Sequence, residues 1–185
     1  MSFNSRINKA KRQLNQDRRS RSIPLPIFDW REVDGTNFAV GNTAAGGGLL
    51  SSNTTPIGES GTTTAINQFM SWATTVVDPV AIQVPLPADF DGSQDVTVDL
   101  WVASGTTDAA SFALLSSWDA GATVTDAFDD AASKSATIHK ITATIAAADI
   151  ADTARFCTLV IVPPAHATNA IAVHNAQLNY SPIGV

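Results

Sequence analysis

The sequence predicts an all-β fold: an antiparallel β-sandwich carrying an extended or helical N-terminal arm. Three observations lead there. From residue 27 onward apolar and polar residues alternate with period two, the pattern of strands with one face in a core and one in solvent. Clusters of Gly, Asn, Asp, Ser and Pro punctuate that alternation: 53–61, 89–93, 104–108 and 119–133. The basic residues, by contrast, crowd into the first 21 positions, where the apolar spacing is helical.

The arm comes first. Phe3, Ile7, Ala10 and Leu14 recur at spacings of four, three and four, one apolar stripe flanked by Arg6, Lys9, Lys11 and Arg12. With Arg18, Arg19 and Arg21 against the single acid Asp17, residues 1–21 carry a formal charge of +6. The remaining 164 residues hold 4 basic and 16 acidic side chains and carry −12, so the chain total of −6 hides a cationic arm on an anionic body. A segment of about 15 residues is at best marginally helical alone, so the stripe predicts ordering on a partner. Pro24 and Pro26 end any helix and force an extended entry into the body. The domain reading is therefore an arm over 1–26 and a sandwich over 27–185.

The strands follow in order. Met70, Trp72 and Val76 share a parity with Ile66, and Val80, Ile82, Val84 and Leu86 form the next inward row. Val96, Val98, Leu100 and Val102 point one way, while Asp95, Thr97, Asp99 and Trp101 point the other. Phe112, Leu114 and Trp118 continue the habit, then His139, Ile141, Ala143 and Ile145. Arg155–Val162 is apolar on both parities and reads as a central strand covered on both sides or lying at an interface. Around His174–Ala176 the parity switches from Ile171 and Val173 to Ala176, Leu178 and Tyr180, which a β-bulge would produce. Only Ala146–Thr153 has room for a short helical turn. Eight or nine strands are expected. Strand, Ala-Asp-apolar turn and strand occur twice, at Ala88-Asp89-Phe90 and Ala148-Asp149-Ile150, as two similar halves of a jelly roll would require.

Composition excludes several classes. Charged residues are 15% of the chain, too few for a coiled coil. The longest plainly apolar run, Leu159–Val162, is far short of a spanning helix, so no membrane association is expected. Cys157 is the only cysteine and reads as a small buried hydrophobe. No apolar h-region follows the basic leader, so it is not read as a secretion signal. The Asn-X-Ser/Thr matches at Asn53 and Asn179 are taken as coincidental in a Thr-rich chain.

Catalytic constellations do not assemble, and no enzyme is expected. Gly58-Glu59-Ser60-Gly61 has the outline of a nucleophile loop, but nothing marks His139, His166 or His174 as its base. Gly46–Gly48 lacks the Gly-Lys-Ser/Thr of a phosphate cradle. Asp89, Asp91 and Asp95 have oxygen ligands suited to calcium, but Gly92 and Leu100 fall where the calcium loop needs other residues. Asp126, Asp129 and Asp130 fare no better, and no cofactor or metal is expected. Of the tryptophans, Trp72 and Trp118 share parity with core residues. Trp101 does not, and is the candidate surface contact, as an interface anchor or a platform for a sugar ring.

Over residues 65–182 the chain resembles the small β-sandwich proteins of tailed-bacteriophage virions. The stretches concerned are Trp101-Val102-Ala103-Ser104-Gly105-Thr106 and Ser117-Trp118-Asp119 within Asp99–Asp119, together with Ala146–Thr153 and His174–Pro182. The closest role is a capsid decoration, or cement, protein of jelly-roll type. That resemblance implies no cofactor and no reaction. It implies a place on the capsid surface of a virion, with the major capsid protein as partner, a homo-oligomeric state (dimer or trimer) and an arm lying across the shell. On it, Phe3, Arg6, Ile7, Lys9, Lys11, Arg12, Leu14, Arg18, Arg19 and Arg21 are the partner-binding residues. Two other readings stand beside it: a tail-fibre or adhesion domain that binds carbohydrate through Trp101, and a coat protein whose arm contacts packaged nucleic acid. The acidic body makes nucleic acid the less expected partner.

Overall fold

The computed structural model describes residues 20–34, 37–38, 48–49, 57–59, 69–129 and 135–183. Among these, thirteen strands build two antiparallel sheets. The strands are β1 (Arg21–Pro24), β2 (Arg31–Asp34), β3 (Asn37–Phe38), β4 (Gly48–Leu49), β5 (Ile57–Glu59), β6 (Phe69–Trp72) and β7 (Val80–Pro85). They continue with β8 (Val96–Ala103), β9 (Ala113–Trp118), β10 (Thr123–Ala127), β11 (His139–Ile145), β12 (Phe156–Val162) and β13 (Ile171–Tyr180). The first sheet runs β11-β8-β13-β6-β5, with β1 also paired to β13. The second runs β10-β9-β12-β7-β2-β3, with β4 also paired to β2.

Counting β6 to β13 as strands one to eight, the sheet orders become 1-8-3-6 and 2-7-4-5. That is the double Greek key of a jelly roll. The alternation seen in the sequence is what drives it. Met70, Trp72, Val96, Val98, Leu100, Val102, Ile141, Ala143 and Ile145 come inward from the first sheet. They meet Val80, Ile82, Val84, Leu114, Trp118, Cys157, Leu159 and Ile161 from the second, and all are buried. The polar residues Thr97, Asp99, Gln83, Ser117, Thr142, Thr144 and Thr158 that alternate with them are thereby left on the outer faces, while Ser116 is buried in the inward row of β9.

Three features refine the sequence reading. The segment assigned to the arm enters the sandwich before residue 26. Arg21–Pro24 pairs with Tyr180–Gln177, the Leu25 amide donates to the Ala176 carbonyl at 3.0 Å, and the Leu25 side chain is buried. The nine arm residues from Phe3 to Arg19 lie outside the described residues. Strand β12 is central, between β9 and β7, as expected. Its parity nevertheless alternates: Cys157, Leu159 and Ile161 face the core, while Phe156, Thr158, Val160 and Val162 are half-buried on the outer face. The helical turn at Ala146–Thr153 is a single 3-10 turn over Ala147–Asp149.

The two Ala-Asp-apolar turns lie against each other. Phe90 and Ile150 are both buried, and a Cβ on Gly92 would stand 2.9 Å from the Ala151 carbonyl oxygen, so only glycine permits that approach. The far end is fastened differently. The Asp108 carboxylate accepts from the Thr168 and Asn169 amides at 2.7 Å each, and the Asn169 side-chain Oδ1 accepts from the Thr107 and Asp108 amides. One lateral seam is closed as well. Phe128 bridges to Ala143, the Asp129 amide donates to the Thr142 carbonyl at 2.8 Å, and the Thr142 amide donates back to the Asp129 carboxylate at 2.6 Å.

The β9–β10 hairpin turns through Asp119 (φ 46°) and Ala120 (φ 60°), with the Gly121 amide donating to the Trp118 carbonyl at 2.8 Å. Positive φ at both central residues matches the twist of a hairpin, but an alanine Cβ is crowded there. Asp119 answers with its side chain, which accepts from the Arg155 and Phe156 amides. Ala120 offers no such return. Ala120→Gly is expected to raise stability by about 0.5–1 kcal/mol, net of glycine's greater unfolded-state entropy, measured as a higher midpoint in thermal or urea denaturation.

Candidate functional site

Strands β11, β8, β13 and β1 lie side by side, and their outward residues form three cross-strand rows. Thr144, Thr97, Asn179 and Ser22 make the first; Thr142, Asp99, Gln177 and Pro24 the second; Lys140, Trp101 and Asn175 the third. The rows depend on the β13 bulge, where the register shifts between Val173 and Asn175. Ile171 and Val173 face the core before it, and Ala176, Leu178 and Tyr180 after it. Gln177 and Asn179 are thereby turned outward, toward Asp99.

Asp99 is the hub. It is 5% exposed, and its carboxylate accepts from Thr142 Oγ1 at 2.7 Å, Gln177 Nε2 at 3.1 Å, Asn179 Nδ2 at 3.1 Å and Lys140 Nζ at 3.4 Å. The network extends beyond it. Asn179 Nδ2 also donates to Thr97 Oγ1, Gln177 Nε2 donates to Asn179 Oδ1 at 3.0 Å, and Ser22 Oγ donates to the same oxygen at 2.6 Å. Both amide nitrogens are thus fully committed, while Gln177 Oε1 has no hydrogen-bond donor among the described residues. Lys140 keeps half its side chain in solvent. The face holds a shallow polar groove of about 480 Å³. Trp101 is not among its lining residues but stands half-buried in the adjoining row, paired with Lys140.

Burial pushes the Asp99 carboxyl up, but the hydrogen bonds from Thr142, Asn179 and Gln177 and the Lys140 charge outweigh it, so the net displacement is downward. Where the groove meets β1, Arg21 pairs with Asp89, which also accepts from the Tyr180 hydroxyl at 3.1 Å. Burial, reinforced by Asp89, raises the Tyr180 phenol. Arg21, the one arm cation among the described residues, therefore fastens β1 to the sheet.

The other candidates separate. Asp89 holds Arg21, Asp91 accepts from the Ser93 amide and hydroxyl, and Asp95 accepts from the Ala147 amide at 2.9 Å. They are turn and loop fasteners, and no three acid, histidine or cysteine side chains converge as metal ligands among the described residues. Asp129 closes the seam, Asp126 is raised by burial and by Asp149, and Asp130 lies outside the described residues. His166 is buried with its two ring nitrogens each 2.8 Å from a carbonyl oxygen, of Pro164 and Ala73, so it acts as a fastening between loops. His139 Nδ1 lies 3.2 Å from the Thr137 carbonyl, and burial lowers His174, which packs on Phe69. Ser60 lies outside the described residues, and burial pushes the Cys157 thiol up to about 12, far from a thiolate nucleophile. The Asn179 amide nitrogen is held by Thr97 and Asp99 in the folded chain. Sequence reasoning placed Trp101 on this outer face but missed Gln177 and Asn179. Their alternation with Ala176, Leu178 and Tyr180 across from Asp99 was the available signal.

No protein-family model and no curated protein matches this chain. Among solved structures, a xylan-binding module, CBM15, is similar with a TM-score of 0.48 and 11% identity over 88% of this chain and 97% of that one. The CBM22-1–GH10 modules of Clostridium thermocellum xylanase 10B, complexed with xylohexaose, give 0.45 at 11% identity over 86% of this chain. This chain spans 28% of that protein's length. The K3 adhesin domain of Lys-gingipain from Porphyromonas gingivalis gives 0.37 at 12% identity over 87% of this chain and 99% of the domain. At such identities no individual residue carries over.

The hub titrates with a defined sign. Because the folded Asp99 carboxyl lies below its ordinary 3.8, its network contributes stability that is present above pH 3.8 and lost as pH falls through the lower folded value. Asp99→Asn is expected to be less stable than wild type at neutral pH. The gap should narrow below pH 3.8, as read from urea denaturation across pH 2–7.

Proposed function

We propose that the outer face of β11, β8, β13 and β1 binds carbohydrate. The observation that carries this reading is the juxtaposition of the half-buried Trp101 with the Asp99-centred network of Lys140, Thr142, Gln177 and Asn179. A sugar ring offers an apolar C–H face and a rim of hydroxyls that donate and accept. An aromatic ring beside fixed amide, hydroxyl and ammonium groups meets both needs. Asp99 orients the amides and does not itself reach the ligand, while Gln177 Oε1 and the remaining Lys140 protons supply the polar contacts. Preorganisation by the hub spares the ligand the entropy of ordering those side chains. Isothermal titration of neutral oligosaccharides identified on a glycan array tests this. Trp101→Ala is expected to weaken binding about tenfold or more with the fold retained by circular dichroism. Silence of the wild-type chain on the array, or equal affinity in the variant, removes the reading.

A second reading is favoured by the charge division of +6 on residues 1–21 against −12 on the rest. On this reading the chain decorates a phage head shell as a homo-oligomer, its arm spread over acidic groups of the major capsid protein. A protein that binds the assembled shell and not the free subunits stabilises the shell by mass action, and many copies make modest contacts sufficient. Deleting residues 1–19 spares Arg21–Pro24, so the shortened chain should keep its fold by circular dichroism and lose co-sedimentation with the shell. Decoration undiminished by the deletion counts against the arm.

A further inference from the structure

The second sheet has an outer face of its own. Two depressions of about 410 and 420 Å³ lie there and meet at Thr158. Ala81, Val160 and Leu115 form one cross-strand row of this face, and Gln83, Thr158 and Ser117 form the next. Arg31, paired with Ala81 in register, stands at the β2 end. Among the described cations Arg21, Lys140 and Arg155 each have a carboxylate partner. Arg31 is the exception: it makes no ion pair within 4.0 Å with a described residue, and its Nη1 is closed to solvent without a hydrogen-bond acceptor.

That omission is against the odds of this chain. Residues 22–185 hold 16 acidic side chains and only 4 basic ones, so carboxylates are plentiful. A guanidinium has five donors in a fixed fork and cannot shed its charge. Leaving it half-buried without an acceptor is costly, and the cost disappears when an oxyanion completes the fork. Asp29 lines the same depression but stands beyond ion-pairing distance. Beyond the fork, the half-buried Val160 and Leu115 and the parallel row of amide and hydroxyl side chains suit the two surfaces of a saccharide.

We propose that this groove is a second ligand site, distinct from the Trp101 face, for an acidic saccharide whose oxyanion pairs with Arg31 and whose rings lie along Gln83, Thr158 and Val160. The shared chemistry is an oxyanion on a polyhydroxylated chain, carried as a uronate carboxylate or as a sulfate ester. Isothermal titration of the full chain with oligogalacturonate, a sulfated oligosaccharide and inorganic sulfate separates the sources. Binding of one oligosaccharide is expected, with amide shifts at Arg31, Gln83 and Thr158 in the wild-type spectrum. Arg31→Gln should lose about tenfold to a hundredfold in affinity, Arg31→Lys should lose less, and Trp101→Ala should lose nothing. Unchanged affinity in Arg31→Gln would overturn the proposal. So would failure of both oligosaccharides, shifts confined to the Trp101 face, or inorganic sulfate binding as tightly as either chain.

Discussion

The bulge in β13 is the constraint on which both the core and the polar face depend. A strand turns successive side chains to opposite sides, so ten regularly paired residues could not keep both Val173 and Ala176 inside. One irregularity between Val173 and Asn175 lets Ile171 and Val173 pack at one end and Ala176, Leu178 and Tyr180 at the other. The same step changes the strand's outer flank. Before the bulge β13 pairs with β6, and beyond it with β1. Without it Gln177 and Asn179 would be driven into the core, and Asp99 would lose two of its four donors.

Much of this architecture can be read from the sequence because burial writes itself into alternation. The inward rows of β7, β8, β9 and β11, and the bulge itself, follow from parity alone. The jelly-roll order is signalled only faintly, by the repeated Ala-Asp-apolar turn, because strand order is set by contacts between residues far apart in the chain. The site is legible in part. Trp101 stands out because it breaks the pattern of its strand. Asp99 does not, since an outward aspartate looks like solvated surface until its neighbours on β11 and β13 are known.

Strand β12 shows what periodicity leaves open. Its doubly apolar run fits a central strand covered on both sides or lying at an interface, and it is central in its sheet. Phe156, Val160 and Val162 are half-buried on its outer face. The arm's limit shifted for a related reason. Pro24 and Pro26 correctly announce an extended entry, but Ser22 and Ile23 carry too little pattern to reveal that they already pair with β13.

Thr142 belongs to two structures at once. Its backbone joins the lateral seam with Asp129, while its hydroxyl holds Asp99. Beyond ordering the groove, the seam covers the backbone of β11 on a flank that would otherwise be open to another chain. Strands left bare in this way recruit one another and nucleate aggregates. By spending the Thr142 amide and carbonyl internally, the molecule withdraws those two groups from strand addition along that edge.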